Sequence, residues 1–331
     1  MEDVGQHRVC SSIGGPLESL RTPRAKAKGD VRPGRIDIRR PAMTVQAPAS
    51  SPETSARGSE KPWAIQHLPP FPAVALQLLT LLDDDDVPMK RVVDLLRVDP
   101  ALSAEILRVS NSALYGLSRR IDNVSHAVVV LGTEVVKRLA LTVALGRFSR
   151  RSLSHQGLRI CWDHSMAVAL LSERLAEAMH LPRDRGYTAG LLHDVGRLAL
   201  LACYPVEYGN MLDVARENDF DQLECERQLF DIDHSAAGEW LARHWNLPDD
   251  LVDSIARHHD PAQRNGDIPS AVRGADRLAN AMGFAVVRRD HTEDPLAILN
   301  DLPLHDVDRF VEQLQGFEET IHTTINAISP H

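Results

Sequence analysis

Aromatic residues are scarce in this 331-residue chain, at 5% of the total, so a core has to be built from Leu, Val, Ile and Ala. Leu and Ala are strong helix formers, and the shortage of rings points to helices. Cysteine is scarcer still. Cys10, Cys161, Cys203 and Cys225 show no CxxC spacing, which excludes a zinc ribbon and a disulfide framework read from pattern. Scattered thiols fit a reducing compartment. No apolar run approaches the roughly 18 residues that a membrane span needs. The N-terminus has no secretory hydrophobic core either. The expectation is a cytoplasmic protein without a membrane span.

Positive charge is short outside the N-terminus. Residues 1–62 carry 11 basic and 7 acidic side chains, whereas the remainder carries 26 and 39, a net charge of −13. Such a globule repels phosphate backbones, so nucleic acid is not expected as its main ligand. The leader is rich in Pro, Ser, Gly, Arg and Ala and has no sustained apolar period. It cannot bury enough surface to offset its ordering entropy, so residues 1–62 are expected to be disordered. On composition alone, Met43 is an alternative start.

From Trp63 onwards the pattern is helical. "FPAVALQLLTLL" (71–82) carries apolar residues at helical spacing and runs into Asp83 to Asp86, read as a solvated turn. "VPMKRVVDLLRVD" follows, with Pro88 suited to a first turn. In "DPALSAEILRVSNSALYG", Asp99 is placed to cap a helix that has Pro100 at its first position. Asn111 and Tyr115 are four apart and would share a face of a continuing helix. They either hydrogen-bond across a lobe junction or cap and pack the helix end. "SHAVVVLG" and "TEVVKRLALTVAL" complete about five short helices. A long amphipathic helix, "CWDHSMAVALLSERLAEAMHLP", opens the second half. One helix over about 186–203, three over 208–248, two more to 284 and two in the tail complete an all-α chain.

"AGLLHDVGRLALL" (189–201) sets His193 and Asp194 inside an apolar run. Burying a polar group without a partner costs about 2–7 kcal/mol, so either ordinary hydrogen bonds or a cation must hold these two. His164, His234, the pair His258–His259 and Asp276 lie in neighbouring helical segments. Imidazole and carboxylate suit Zn, Fe and Mn, and a bridging carboxylate can hold two ions together. Each residue also has a plainer reading. His258 and His259 could favour a helix C-terminal dipole, and Asp276 could pair with Arg273 or Arg277.

The order H…HD…H…HH…D resembles the HD superfamily of metal-dependent phosphohydrolases. The stretch from about 68 to 261 more closely resembles an HDOD domain, the HD-related output domain of bacterial signalling proteins. "LPPFPAVALQLLTLLDDDD", "LLRVDPALSAEILRVSNSALYG", "AGLLHDVGRLAL" and "DHSAAGEWLARHWNLPDDLVDSIARHHDP" carry the resemblance. It implies a two-lobed all-α fold: an N-terminal helical lobe (63–150), an HD-like metal-site lobe (151–290) and C-terminal helices (291–331). By similarity to two-metal HD phosphodiesterases, His164, His193, Asp194 and Asp276 would form one metal site. Asp194 would bridge to a second, completed by His234, His258 and His259, for one or two ions of Fe, Mn or Zn.

Two departures bear on the activity. "HHDPAQRNGDIP" lacks the GYP triplet of the sub-family acting on cyclic di-GMP. Arg197 also stands where that sub-family has Lys, and it could contact a phosphate. The resemblance implies a regulatory output module acting through a signalling protein partner, with its metal site retained. A metal-dependent phosphohydrolase acting on a nucleotide or cyclic nucleotide is the alternative. A nucleotide or metal sensor without turnover is the third reading.

Overall fold

Aspartate punctuates the chain by starting its helices. Asp99 accepts from the backbone N–H groups of Ala101 and Leu102, with Pro100 in the first turn. Asp221, Asp233, Asp267, Asp294 and Asp306 cap later helices in the same way. Each satisfies donors that a helix leaves unpaired at its start, worth about 1 kcal/mol. The computed structural model describes residues 61–68, 71–81, 87–151, 156–261, 265–287 and 292–328. Residues 1–60 of the expected leader, Met43 included, and the Asp83–Asp86 run lie outside the described residues.

Every regular element among the described residues is helical. The first set is α1 (Ala73–Thr80), α2 (Met89–Arg97), α3 (Pro100–Ser110), α4 (Val124–Leu131) and α5 (Thr133–Arg151), with α5 packed on α1, α3 and α4. The second set begins with α6 (Gln156–Ala178), α7 (Arg183–Leu192), α8 (Val195–Cys203) and α9 (Pro205–Asn218). It continues with α10 (Gln222–Phe230), α11 (His234–His244), α12 (Asp249–Ala256) and α13 (Ile268–Ala279), which runs on into a π-helical turn at Asn280–Phe284. The tail holds three helices where two are expected: α14 (Pro295–Asn300), α15 (Val307–Leu314) and α16 (Phe317–Ile328).

Around the central α6, two glycines of α7 allow close packing. A Cβ on Gly186 or Gly190 would meet α6 backbone oxygens at 2.7 Å. The two sets of helices are joined by charge as well as by apolar contact. Arg138 of α5 reaches Glu173 on α6 at 2.7 Å and Asp184 on α7 at 3.3 Å. Arg108 of α3 donates to the last carbonyls of α16. Tyr115 lines a cavity of about 170 Å³ at this junction, with Arg138, Glu173 and Tyr187. Asn111 does not cross the junction. Its amide donates to the Leu107 and Ile121 carbonyls and its oxygen accepts from Ile121 N–H, so it caps α3 and staples the following loop.

Two further expected elements differ. The single helix over about 186–203 is broken, because Asp194 has φ −101° and ψ 20°. Its carboxylate stands at the N-cap position of α8 but caps nothing, being turned inward. His258 and His259 do not close a helix, since α12 ends at Ala256 and the pair occupies the turn beyond it.

Arg185 grips Asp250 through two hydrogen bonds of 2.7 and 2.6 Å, tying α7 to the start of α12. Partial burial would raise the Asp250 pKa, but Arg185 and nearby N–H groups hold it below its usual value. A carboxyl with a depressed folded pKa stabilises the fold above its unfolded pKa of about 3.9, and the contribution is lost as pH falls through the folded value. Asp250→Asn is therefore expected to cost about 1 kcal/mol at neutral pH, the upper range for a partly exposed pair. Urea titrations should show that difference shrinking as pH drops below about 4. A difference constant with pH would contradict this account.

Candidate metal centre

The break at Asp194 faces inward. His164 comes from the middle of α6, His193 ends α7, His234 opens α11, His258 and His259 follow α12, and Asp276 lies on α13. All except His259 are buried. The structure therefore brings all seven residues singled out in the sequence to one place. Backbone approach makes this possible at α8 and α11, where a Cβ on Gly196 would lie 2.0 Å from the His234 carbonyl oxygen.

Four rings are anchored by Nδ1. That of His164 meets the Phe284 carbonyl at 3.0 Å, that of His193 the Gly190 carbonyl at 2.7 Å, and that of His258 the Ile255 carbonyl at 2.8 Å. A carbonyl can only accept, so each Nδ1 carries a proton, and whenever such a ring is neutral its Nε2 lone pair faces inward. The Nδ1 of His234 meets Glu226 Oε2 at 2.7 Å. Such outer partners are what fix the orientation of metal-binding imidazoles.

The inward nitrogens then face each other. His164 Nε2 is 3.3 Å from His193 Nε2, and His234 Nε2 is 3.2 and 2.9 Å from those of His258 and His259. Asp276 Oδ1 lies 3.2 Å from His164 Nε2. Asp194 stands between the two groups. Its Oδ2 is 3.8 Å from His164 and 3.7 Å from His193, while its Oδ1 is 3.3 Å from both His234 and His258. Among the described residues that Oδ1 is buried and meets no donor in hydrogen-bond geometry. Opposed lone pairs beside an unpaired carboxylate oxygen are unfavourable unless a cation lies among them. The donor set fits a divalent ion by chemistry and by spacing. Three groups have ligand atoms within 4.8 Å of one another: His164–His193–Asp276, His193–Asp194–His258 and His234–His258–His259.

The electrostatics are consistent with ligand chemistry. Burial pushes His193 down to about 3, so the ring stays neutral. Burial together with His258 and His234 pushes His259 well below its usual value. Burial would raise Asp194, but Arg197, His193 and His234 hold it well below the carboxylate range. Asp276 is held down against burial chiefly by His164. His258 is the exception, raised by Asp194 against the effect of burial.

Arg197 donates from Nε to Asp194 Oδ2 at 2.5 Å and from Nη2 to His234 Nε2 at 3.1 Å. Neither Arg273 nor Arg277 pairs with Asp276 in the way the plainer reading has it. Arg273 reaches Ser270, and Arg277 binds Glu293 and Asp301. Sequence reasoning missed Glu226, which accepts from Tyr208 at 2.5 Å and Gln222 at 3.0 Å besides anchoring His234. It sits among ordinary surface acids of "DQLECERQLF", and no local pattern distinguishes it. It also missed Asn280, which donates to Asp276. A cavity of about 640 Å³ opens onto the centre, lined by His164, Arg197, His258, His259 and Asp276 among others.

The family model for the HDOD domain matches residues 68–261, which takes in the first helical set and every ligand candidate except Asp276. This chain belongs to the HDOD domain family. A protein of Treponema pallidum is 26% identical over 224 residues, 67% of this chain and 42% of that one. Ribonuclease Y of Thermus thermophilus is 31% identical over 158 residues, 48% of this chain and 22% of the enzyme. This chain spans less than half the length of the curated relatives it matches. The crystal structure of an HDOD domain protein from Geobacter sulfurreducens aligns with a TM-score of 0.71 at 24% identity, covering 81% of this chain and 98% of that one. That likeness shows the HDOD fold. No helix among the described residues is long and apolar enough to cross a membrane.

Proposed function

We propose that this HDOD protein is a signalling output module that holds a divalent metal ion at the His/Asp centre and acts through contacts with a partner protein. The observation that carries the metal is the convergence of His164, His193 and Asp276 ligand atoms within 4.8 Å of one another beside Asp194, with both rings anchored at Nδ1 by backbone carbonyls so that Nε2 faces inward. His164, His193, Asp194, Asp276, His234, His258 and His259 are the candidate ligands of that centre. The output role is supported by family membership, by the additional α1–α5 set and by the absence of a GYP triplet after His259. Fe, Mn and Zn all suit nitrogen and carboxylate donors.

One observation favours a second reading, phosphoester hydrolysis at the same centre. The 640 Å³ cavity gives a small ligand access to the ligand side chains. A bound ion supplies Lewis acidity toward a phosphoryl oxygen. Arg197 Nη1, buried and without a hydrogen-bond partner among the described residues, is suited to bind a phosphate oxygen. The acidic surface argues for a small phosphoester rather than a nucleic-acid strand.

The purified 331-residue chain, stripped with chelator and reloaded with Mn, Fe or Zn, should retain metal through gel filtration. It should leave a panel of phosphomonoesters, cyclic nucleotides and dinucleotides unhydrolysed. Loss of all metal on the column would refute the metal centre. Turnover that disappears in His193→Ala would replace the output reading with the hydrolase.

A further inference from the structure

Arg197 occupies a position that a second cation would need. In the described residues its guanidinium is buried, at 3% side-chain exposure, and hydrogen-bonds to both Asp194 and His234. Its Nη2 donates to His234 Nε2 at 3.1 Å. Because His234 Nδ1 is engaged by Glu226, this is the only free lone pair on that ring. With the arginine in place, His234 has none left to give a metal.

The arginine cannot simply withdraw by a shift of its backbone. Gly196, its neighbour, presses against the His234 carbonyl and Gly238 so closely that a Cβ would have no room. The α8 backbone at Arg197 is therefore held against the start of α11. Nη1 faces Glu226 Oε1 at 3.9 Å, and Tyr208 and Gln222 hold that oxygen in turn. The guanidinium is a built part of the centre.

Charge points the same way. Asp194, Glu226 and Asp276 bring three formal negative charges into the buried cluster, and Arg197 brings one positive. One divalent ion balances the sum, whereas two would leave an excess of positive charge where desolvation is costly. An ion bound to His234 Nε2 at about 2.1 Å would also lie at most about 5 Å from Arg197 Nη2.

On the other side, among the described residues, no arginine hydrogen-bonds to His164 Nε2, His193 Nε2 or Asp276 Oδ1, and Asp194 Oδ2 has a second lone pair beyond the one that Arg197 uses. We propose that the centre takes up a single divalent ion, at His164, His193, Asp194 and Asp276, and that Arg197 serves as the fixed positive charge of the other half. This rests on the metal-binding reading above and specifies its stoichiometry.

The test counts ions. The chelator-stripped 331-residue chain is dialysed to equilibrium against saturating Mn²⁺, and bound metal is measured by mass spectrometry. Wild type is expected to hold one ion per chain. Arg197→Met replaces the guanidinium by an apolar side chain, frees His234, and should raise the count to two. Paramagnetic resonance would show the two Mn²⁺ ions coupled, a signature absent from the wild type. Two ions in the wild type, or one in a folded Arg197→Met protein, would overturn the one-ion centre while leaving metal binding intact. No bound ion in the wild type would overturn both. If Arg197→Met fails to fold, the wild-type count and its resonance spectrum still decide the proposal.

Discussion

Asp194→Ala is expected to lose the bound metal and about 3–5 kcal/mol of stability, the cost of removing one partner from a buried ion pair. The carboxylate meets Arg197 at 2.5 Å and stands within 3.8 Å of four imidazole Nε2 atoms. Without it the guanidinium would keep Glu226 as its nearest charge, at 3.9 Å, with no direct hydrogen bond between them. Urea unfolding in the presence of chelator isolates the ion-pair contribution from that of metal. Asp194→Asn keeps an acceptor for Arg197, so it should cost less stability while still weakening metal retention. An Asp194→Ala protein that holds metal at the wild-type level, or unfolds within about 1 kcal/mol of it, would contradict the central role given to this residue.

Gly196→Ala should be comparably damaging although it alters no ligand. The added Cβ would lie 2.0 Å from the His234 carbonyl oxygen and 2.4 Å from the Gly238 nitrogen, and both are backbone atoms. A flexible side chain could move aside, but two helices have to separate here. Overpacking typically costs about 1–3 kcal/mol, and a clash with backbone on this scale should reach or pass the upper end. At about 2–4 °C per kcal/mol, the melting temperature should fall by roughly 10 °C. Separation of α8 from α11 would also move Arg197 away from His234. A melting temperature within 2 °C of wild type would show that the crossing tolerates a methyl group. Metal affinity measured on the folded fraction would then report whether the two helices had shifted.

The all-helical fold was legible because its signals are local. Asp99 with Pro100 marks a helix start within a few residues, and the apolar spacing of 71–82 shows a buried face without knowledge of what covers it. The break at Asp194 was not legible in the same way. "AGLLHDVGRLALL" reads as one continuous apolar helix, and only the inward turn of the carboxylate explains the interruption. For the same reason His258 and His259 read as helix termini when they occupy the turn beyond α12.

The sequence by itself determined the helical class, the HDOD resemblance and the candidate residues from His164 to Asp276, since motif order and period survive in one dimension. Tertiary structure decided what those residues do to one another. Whether Asp276 pairs with a neighbouring arginine or faces His164 depends on the packing of α13 against α6. The His164 ring takes its proton position from Phe284, 120 residues away. Glu226 became a supporting residue only when α10 delivered it to His234, and Arg197 a competing cation only when Gly196 let α8 meet α11. Helix formation depends on neighbours within about four residues along the chain. Lone-pair directions and charge balance depend on side chains delivered by several separate helices, and only their packing sets those distances.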